Sequence, residues 1–252
     1  MNRNRLWLLS LLLFALPSTA LAQVPALPPI TVDLTGGGVM TERIFQIMGL
    51  ITILSLAPSI LMMTTCFTRI VVVLSLLRSA IGTQASPPNS VIISLSLFLT
   101  FFVMTPTFNA VYENAITPLV AEQITTEEAI TRASDPMRTF MMAHTREQDL
   151  SLFINMAQIE IPRAPEATPL RAVIPAFMLS KLKRAFEIGF LLFVPFLIID
   201  MAISSILMSM GMMMLPPVVI SLPFKLIFFV LVDGWRLVAG SLVASYGGAP
   251  PI

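Results

Sequence analysis

The chain has 252 residues, 56% of them hydrophobic and only 12% charged, about half the charged share of an ordinary soluble domain. Lys and Arg number 15 against 14 Asp and Glu, so the composition points to a membrane protein with lipid as a partner and offers no basic face for nucleic acid. A single cysteine, Cys66, and a single histidine, His144, exclude an internal disulfide and a multi-cysteine metal centre, and no cofactor is expected.

Arg3 and Arg5 precede an apolar run from Leu6 to Leu16, then Pro17 and Ala20-Leu21-Ala22. That is the form of a secretory leader, with Ala20 and Ala22 as the small residues of the cleavage site and Gln23 as the first residue of the mature chain. Residues 23–41 carry Pro25, Pro28, Pro29 and Gly36-Gly37-Gly38 without periodicity and read as a flexible lead-in. A helix is expected from near Thr41, with Glu42 well placed in its first turn.

From Ile44 to Leu77 the only charge is Arg69, and the run exceeds the roughly 20 residues one span requires. Pro58 predicts a break there. A turn from Gly82 to Asn89 and a second apolar run from Val91 to Val111, containing Pro106, complete a first hairpin over residues 42–111. Residues 112–185 hold most of the charge. Helix-like spacing of Phe140, Met141, Leu150, Phe153, Ile154 and Ala157 predicts a small amphipathic-helix subdomain, with a loop from Ile161 to Pro169. A second hairpin is expected over residues 186–246, followed by a tail at 247–252. The fold class is all-α, two long kinked helical hairpins with the polar subdomain between them.

The second hairpin has an unusual tip. Gly211 is a natural helix C-cap and Pro216-Pro217 opens the next helix, but between them stand Met212, Met213, Met214 and Leu215 instead of polar turn residues. These methionines read either as lipid-facing residues of a Met-rich chain or as a flexible seal that re-packs against surfaces of varying shape. Asp200, Lys225, Asp233 and Arg236 interrupt the apolar runs. Intramembrane ionisable groups are functional candidates, and the alternative is that they pair and fix how hairpins or subunits dock. Asp233 and Arg236 are three apart, within pairing distance on a helix.

Arg69 is expected to snorkel to an interface, Cys66 to be a small packed hydrophobe, and His144 to be solvated beside Arg146 and Glu147. An exported N-terminus followed by four simple spans would leave Lys181, Lys183 and Arg184 beside a span on the side that the positive-inside rule disfavours. Either the leader stays uncleaved or the hairpins do not cross the bilayer as simple spans, and the second is the preferred expectation. No Gly-x-Ser-x-Gly, His-Glu-x-x-His or phosphate-cradling glycine loop occurs, so enzymatic activity is not expected. A small-solute or ion carrier using Asp200 and Asp233 as coupling groups is the competing class. It would need inverted repeats, and the two hairpins show no mutual similarity.

Several segments resemble the FliP family of flagellar biosynthetic proteins and its counterparts in virulence type III secretion. They are Arg69 to Arg78, Gly82-Thr83-Gln84 with Pro87-Pro88-Asn89, Phe186 to Asp200, and above all Met208 through the methionine turn to Ser221-Leu222-Pro223-Phe224-Lys225 and Val232-Asp233-Gly234-Trp235. The resemblance covers about residues 41–245. It implies a non-enzymatic export-gate subunit in the inner membrane at the flagellar basal body. Such a subunit assembles in several copies with FliQ and FliR around a conduit for unfolded proteins, beside further export-apparatus and basal-body proteins. It also implies that Met212, Met213 and Met214 form a pore gasket and that the hairpins stack into a largely extramembrane assembly. The chain departs from the family pattern at Ala85, where a second Gln is usual, and at Lys181, where an acidic residue is common.

Overall fold

In the computed structural model the described residues are 39–83, 85–158, 168–212 and 214–247. The expected leader with its Ala20, Ala22 and Gln23 cleavage site lies outside them, as do the lead-in up to residue 38, Gln84, most of the Ile161–Pro169 loop, Met213 and the tail beyond Gly247. The described residues are helical and form no strand. The chain divides into two units within its first helix, at Ile53 and Leu54.

Helix α1 runs over Val39–Thr64. In the first unit its side chains Ile44, Phe45, Leu50 and Ile51 are exposed. The break expected at Pro58 is absent, and α1 continues through that proline to end at Thr64. The reason lies in where freed carbonyls find donors. Thr64 Oγ1 donates to Ile60 O at 2.9 Å, Thr65 Oγ1 to Leu61 O at 2.7 Å and Thr68 Oγ1 to Met62 O at 2.9 Å. Lys181 Nζ donates to Met63 O at 3.2 Å and also to Thr65 O. A helix end whose carbonyls find side-chain donors can be buried.

Helix α2, Phe67–Ile81, is the centre of the second unit. Its buried residues Ile70, Val73, Leu74, Leu77, Ala80 and Ile81 recur every three or four positions, the spacing of one helix face. Gly82 ends it in the left-handed region at φ 91°. Arg78 Nη1 then donates to Pro87 O and to Asn89 Oδ1, at 3.2 and 2.6 Å, fixing the turn into α3, Asn89–Val111. This α2–α3 pair is the first hairpin. Beyond α3 the chain widens into an i→i+5 turn over Tyr112–Ile116, where Thr117 N–H donates to Tyr112 O, and closes with a short α4, Thr117–Val120. Pro118 explains the widening, because its ring would clash with the carbonyl four residues earlier.

The polar subdomain contributes α5, Thr126–Ala143, and α6, Glu147–Met156. Helix α5 is capped by Thr125, whose hydroxyl accepts from Glu128 N–H at 3.3 Å. Both helices dock on α7, Leu170–Ser209, α5 through Met141 and α6 through Leu150, which pack against Val173 and Phe177. Helix α7 has 40 residues, so it is about 60 Å long, twice the roughly 30 Å of a bilayer core. The boundary expected at 185/186 therefore falls inside a continuous helix. Propensity and packing carry α7 through, since the charged turn Lys181 to Arg184 contains no Gly or Pro.

The two halves of α7 differ. Ala172, Val173, Ala176, Phe177, Ser180, Lys181 and Ala185 are buried, whereas Phe190, Leu191, Leu197, Ile198 and Met201 are exposed. Between them Gly189 meets α2 so closely that an added Cβ would sit 2.3 Å from Leu76 Cδ1. The second hairpin is completed by α8, Pro217–Leu231, which bends by 61° into α9, Gly234–Ala244. Among the described residues three stretches are long and apolar enough to cross a membrane, Ile47–Thr64, Asn89–Val120 and Leu170–Ser209, with the bent α8–α9 pair as a fourth.

Candidate functional site

The tip of the α7–α8 hairpin is built by two opposed backbone devices. Gly211 adopts φ 76°, its N–H donates to Met208 O at 3.1 Å, and Met212 N–H reaches back to Leu207 O at 3.0 Å. This paired arrangement satisfies the last carbonyls of α7 and ends the helix sharply. Pro216 occupies the N-cap of α8 in an extended conformation and Pro217 its first helical position, where a missing N–H costs nothing. The chain between them presents Met212 at 41% and Met214 at 99% exposure. Met213 lies outside the described residues. The tip is thus an open, uncharged surface of flexible thioethers on a rigid stalk.

Of the four interrupting charges, the fold brings two together. Asp200 on α7 and Lys225 on α8 form an ion pair with Nζ to Oδ2 at 2.6 Å. Ser221 Oγ donates to Asp200 Oδ1 at 2.5 Å, and Lys225 Nζ also reaches Ala80 O on α2 at 3.4 Å. Lys225 is buried, while the Asp200 side chain is 27% exposed. The pair therefore ties both arms of the hairpin to the C-terminal end of α2, and its charges answer each other. Asp233 and Arg236 stand apart from it. Asp233 is the hinge between α8 and α9 with φ 51°, a left-handed conformation that Asp tolerates, and both residues lie on the exposed surface of the single chain.

Two expectations about isolated residues are corrected. Arg69 does not snorkel: it is buried at 5% exposure, its guanidinium lies 4.1 Å from the Tyr246 ring, and Nη1 donates to Ser245 Oγ at 3.4 Å. Ser245 and Tyr246, just beyond α9, cover it, which residue spacing alone does not reveal. His144 is not freely solvated. Its ring packs 4.9 Å from Tyr246 and 4.7 Å from Phe140, and Nδ1 lies 2.8 Å from Phe140 O. Burial holds the imidazole below its ordinary pKa, against the opposing pull of that carbonyl. Cys66 is fully buried, and burial pushes its thiol pKa up, in keeping with a packed hydrophobe.

Lys181 is the residue whose role spacing could not supply. It is completely buried, caps the end of α1, and places Nζ 3.7 Å from the Phe177 ring. Beside it Ser180 Oγ donates to Asp149 Oδ2 at 2.5 Å, and Arg146 chelates the same oxygen from Nε and Nη2 at 2.9 and 2.6 Å. Burial alone would raise the Asp149 pKa, but these donors from Ser180 and Arg146 outweigh it and hold the carboxyl below its usual range. The only signals in the sequence were a lysine at the edge of an apolar stretch and a threonine pair ahead of Cys66.

A profile of the FliP family matches residues 50–242. The flagellar biosynthetic protein FliP of Caulobacter vibrioides is 59% identical over 231 residues, covering 92% of this chain and 85% of that protein. The protein of the same name from Bacillus subtilis is 55% identical over 197 residues, 78% of this chain and 89% of that protein. That from Aquifex aeolicus is 53% identical over 222 residues, 87% and 92% respectively. With most of its length matched and these helices apolar enough to be membrane-embedded, the chain belongs to the FliP family.

Proposed function

We propose that this protein is a core, non-enzymatic subunit of the flagellar type III protein export gate in the inner membrane. In this reading several copies assemble with FliQ and FliR, and unfolded flagellar proteins pass through the conduit they enclose. The observation that carries it is the hairpin tip, where Met212 and Met214 are exposed on a turn stiffened by Gly211 and the Pro216-Pro217 pair. Relatives named flagellar biosynthetic proteins support the flagellar assignment. A gate must stop ions and water at rest yet yield to a chain of any sequence, and flexible apolar side chains meet both demands by dewetting and re-packing.

The extensive apolar exposure of α3 and the outer half of α7, with Phe98, Phe102, Phe190 and Leu191 each more than 60% open, supports cover by lipid and neighbouring subunits. Asp233 and Arg236 would become interface charges only against such a neighbour. The carrier reading loses ground because Asp200 is already neutralised by Lys225. The test is a chromosomal deletion complemented by a tagged copy. Flagellin export should vanish and return with complementation, and FliQ and FliR should co-purify in detergent. Recovery of a monomer with coupled ion flux would overturn the reading.

A further inference from the structure

We propose that the chain carries a built site for one phospholipid, its anionic headgroup in a basic cavity beside Arg69 and an acyl chain in the groove between α7 and α9. The cavity has a volume of about 350 Å3 and is lined by Arg69, Arg146, Lys183 and Arg184, with His144 and Glu187 among its other walls. Four cations face one carboxylate. Glu187 is bound to Arg184 at 3.0 Å and Arg146 to Asp149 at 2.6 Å. Neither Arg69 nor Lys183 takes part in an ion pair among the described residues. Arg69 is buried and its Nε has no hydrogen-bond partner there, a cost that a structure retains where something else satisfies it. A surplus of positive charge around a recess with an under-satisfied guanidinium is chemistry for a phosphate.

A second observation says that the phosphate comes with a tail. A groove of about 400 Å3 shares Arg184 and Ser245 with the basic cavity and continues along Ile188, Leu192, Leu237 and Leu242. One end is therefore cationic and the other apolar. Lys183 and Arg184 stand where α7 passes from its enclosed half into the more open apolar half, so cationic and apolar surface adjoin there. Free phosphate would fill the cavity and leave the groove unexplained.

The experiment titrates the full-length chain, purified in detergent and stripped of lipid, with phosphatidylglycerol or phosphatidylcholine, and counts bound lipid by native mass spectrometry with and without inorganic phosphate. Phosphatidylglycerol should bind preferentially at one equivalent. Lys183→Gln should weaken it about fivefold, and combining this with Arg69→Gln should do so again. Ser241→Trp, which places an indole on the wall of the groove, should weaken both lipids and leave inorganic phosphate binding unchanged. Lys183 and Ser241 are both exposed, so the test survives if Arg69→Gln fails to fold. Equal binding of the two lipids with no response to Lys183→Gln overturns the proposal. So does phosphate competition that is complete and insensitive to Ser241→Trp, which marks a free-anion site, or loss of self-association by Lys183→Gln without loss of bound lipid, which marks a contact between copies.

Discussion

The two halves of α7 share a helix and little else. Up to Ala185 it is the wall against which α5 and α6 pack, with Phe177 and Lys181 fully enclosed and the polar atoms of Asp149, Ser180 and Arg146 bound to one another. Beyond Gly189 it is as apolar but more open, with Phe190, Leu191, Leu197, Ile198 and Met201 exposed and Phe196 and Leu207 buried. The difference separates what the chain supplies for itself from what its surroundings must supply. The inner half is enclosed by the chain's own helices, whereas the outer half packs on α2 and α8 through one face, with Phe196 and Phe229 in the core, and leaves the rest of its apolar surface open.

The largest effect that would break this comparison is a matched pair of truncations. Phe177→Ala empties a fully buried site and should cost about 3–5 kcal/mol, visible as a lowered unfolding midpoint of the isolated chain in detergent. Phe190→Ala, at 70% exposure, should fall within about 0.5 kcal/mol on the same measurement and show itself only in the yield of assembled complex. Equal destabilisation by the two would mean that the halves are one cooperative core.

The Asp200–Lys225 pair is the exception within the outer half, so it sharpens the boundary. Asp200→Ala leaves a buried ammonium without its counter-charge and should cost about 3 kcal/mol, the low end for a broken buried pair because Asp200 is partly exposed. Asp200→Leu with Lys225→Met should recover most of the loss. Unfolding of the two variants side by side checks this, and a double variant as weak as the single one would show that Ser221 and Ala80, not the charge pair, carry the tie.

How much of this was legible beforehand follows from the range of each cause. The hairpins, the amphipathic helices and the methionine tip rest on local signals: runs of apolar residues, 3.6-residue spacing, and a Gly-to-Pro-Pro turn. Pro58 misled because its cost is local whereas the gain of ending α1 at Thr64 is remote, arriving from Lys181 on another helix. The boundary placed at 185 followed charge, which marks exposure, and α7 runs straight through a change of environment. Arg69, His144 and Tyr246 come from three separate elements, and no spacing rule connects them. Asp200 with Lys225 was readable as a pair only once α7 and α8 were known to fold back on each other.

A smaller effect belongs to the inner half and to pH. His144 is the chain's single histidine, and burial against Phe140 and Tyr246 lowers its folded pKa from 6.5. A depressed folded value means that the unfolded chain takes up the proton first. The stability that His144 contributes is therefore complete above pH 6.5 and is lost as pH falls toward and through the folded value. Unfolding midpoints measured from pH 7.5 down to 5 should decline, and His144→Phe, which keeps the aromatic packing, should flatten that decline. An unchanged slope would place the titration elsewhere.

The smallest effect on the chain should come from the methionine tip, and that is what makes it informative. Met214 is 99% exposed, so nothing in the single chain depends on its side chain, and exposed substitutions away from special features lie within about 0.5 kcal/mol. Replacing Met212, Met213 and Met214 together by Ala should leave the unfolding midpoint and the recovery of complex unchanged, because Gly211 and the Pro216-Pro217 pair, not the methionines, define the turn. The whole consequence should appear in permeability. An apolar constriction excludes water only while it is narrow, and each Met→Ala removes three heavy atoms from its lining, so an assembled complex of the triple variant should pass small ions at rest while export of flagellin continues. Conductance of membranes holding the complex, compared with flagellin recovered from the medium, separates the possibilities. Raised conductance with intact assembly places the tip at the closure. Unchanged conductance makes these methionines lipid-facing, and lost assembly makes them contacts between subunits, so either outcome would move the gate to another part of the complex.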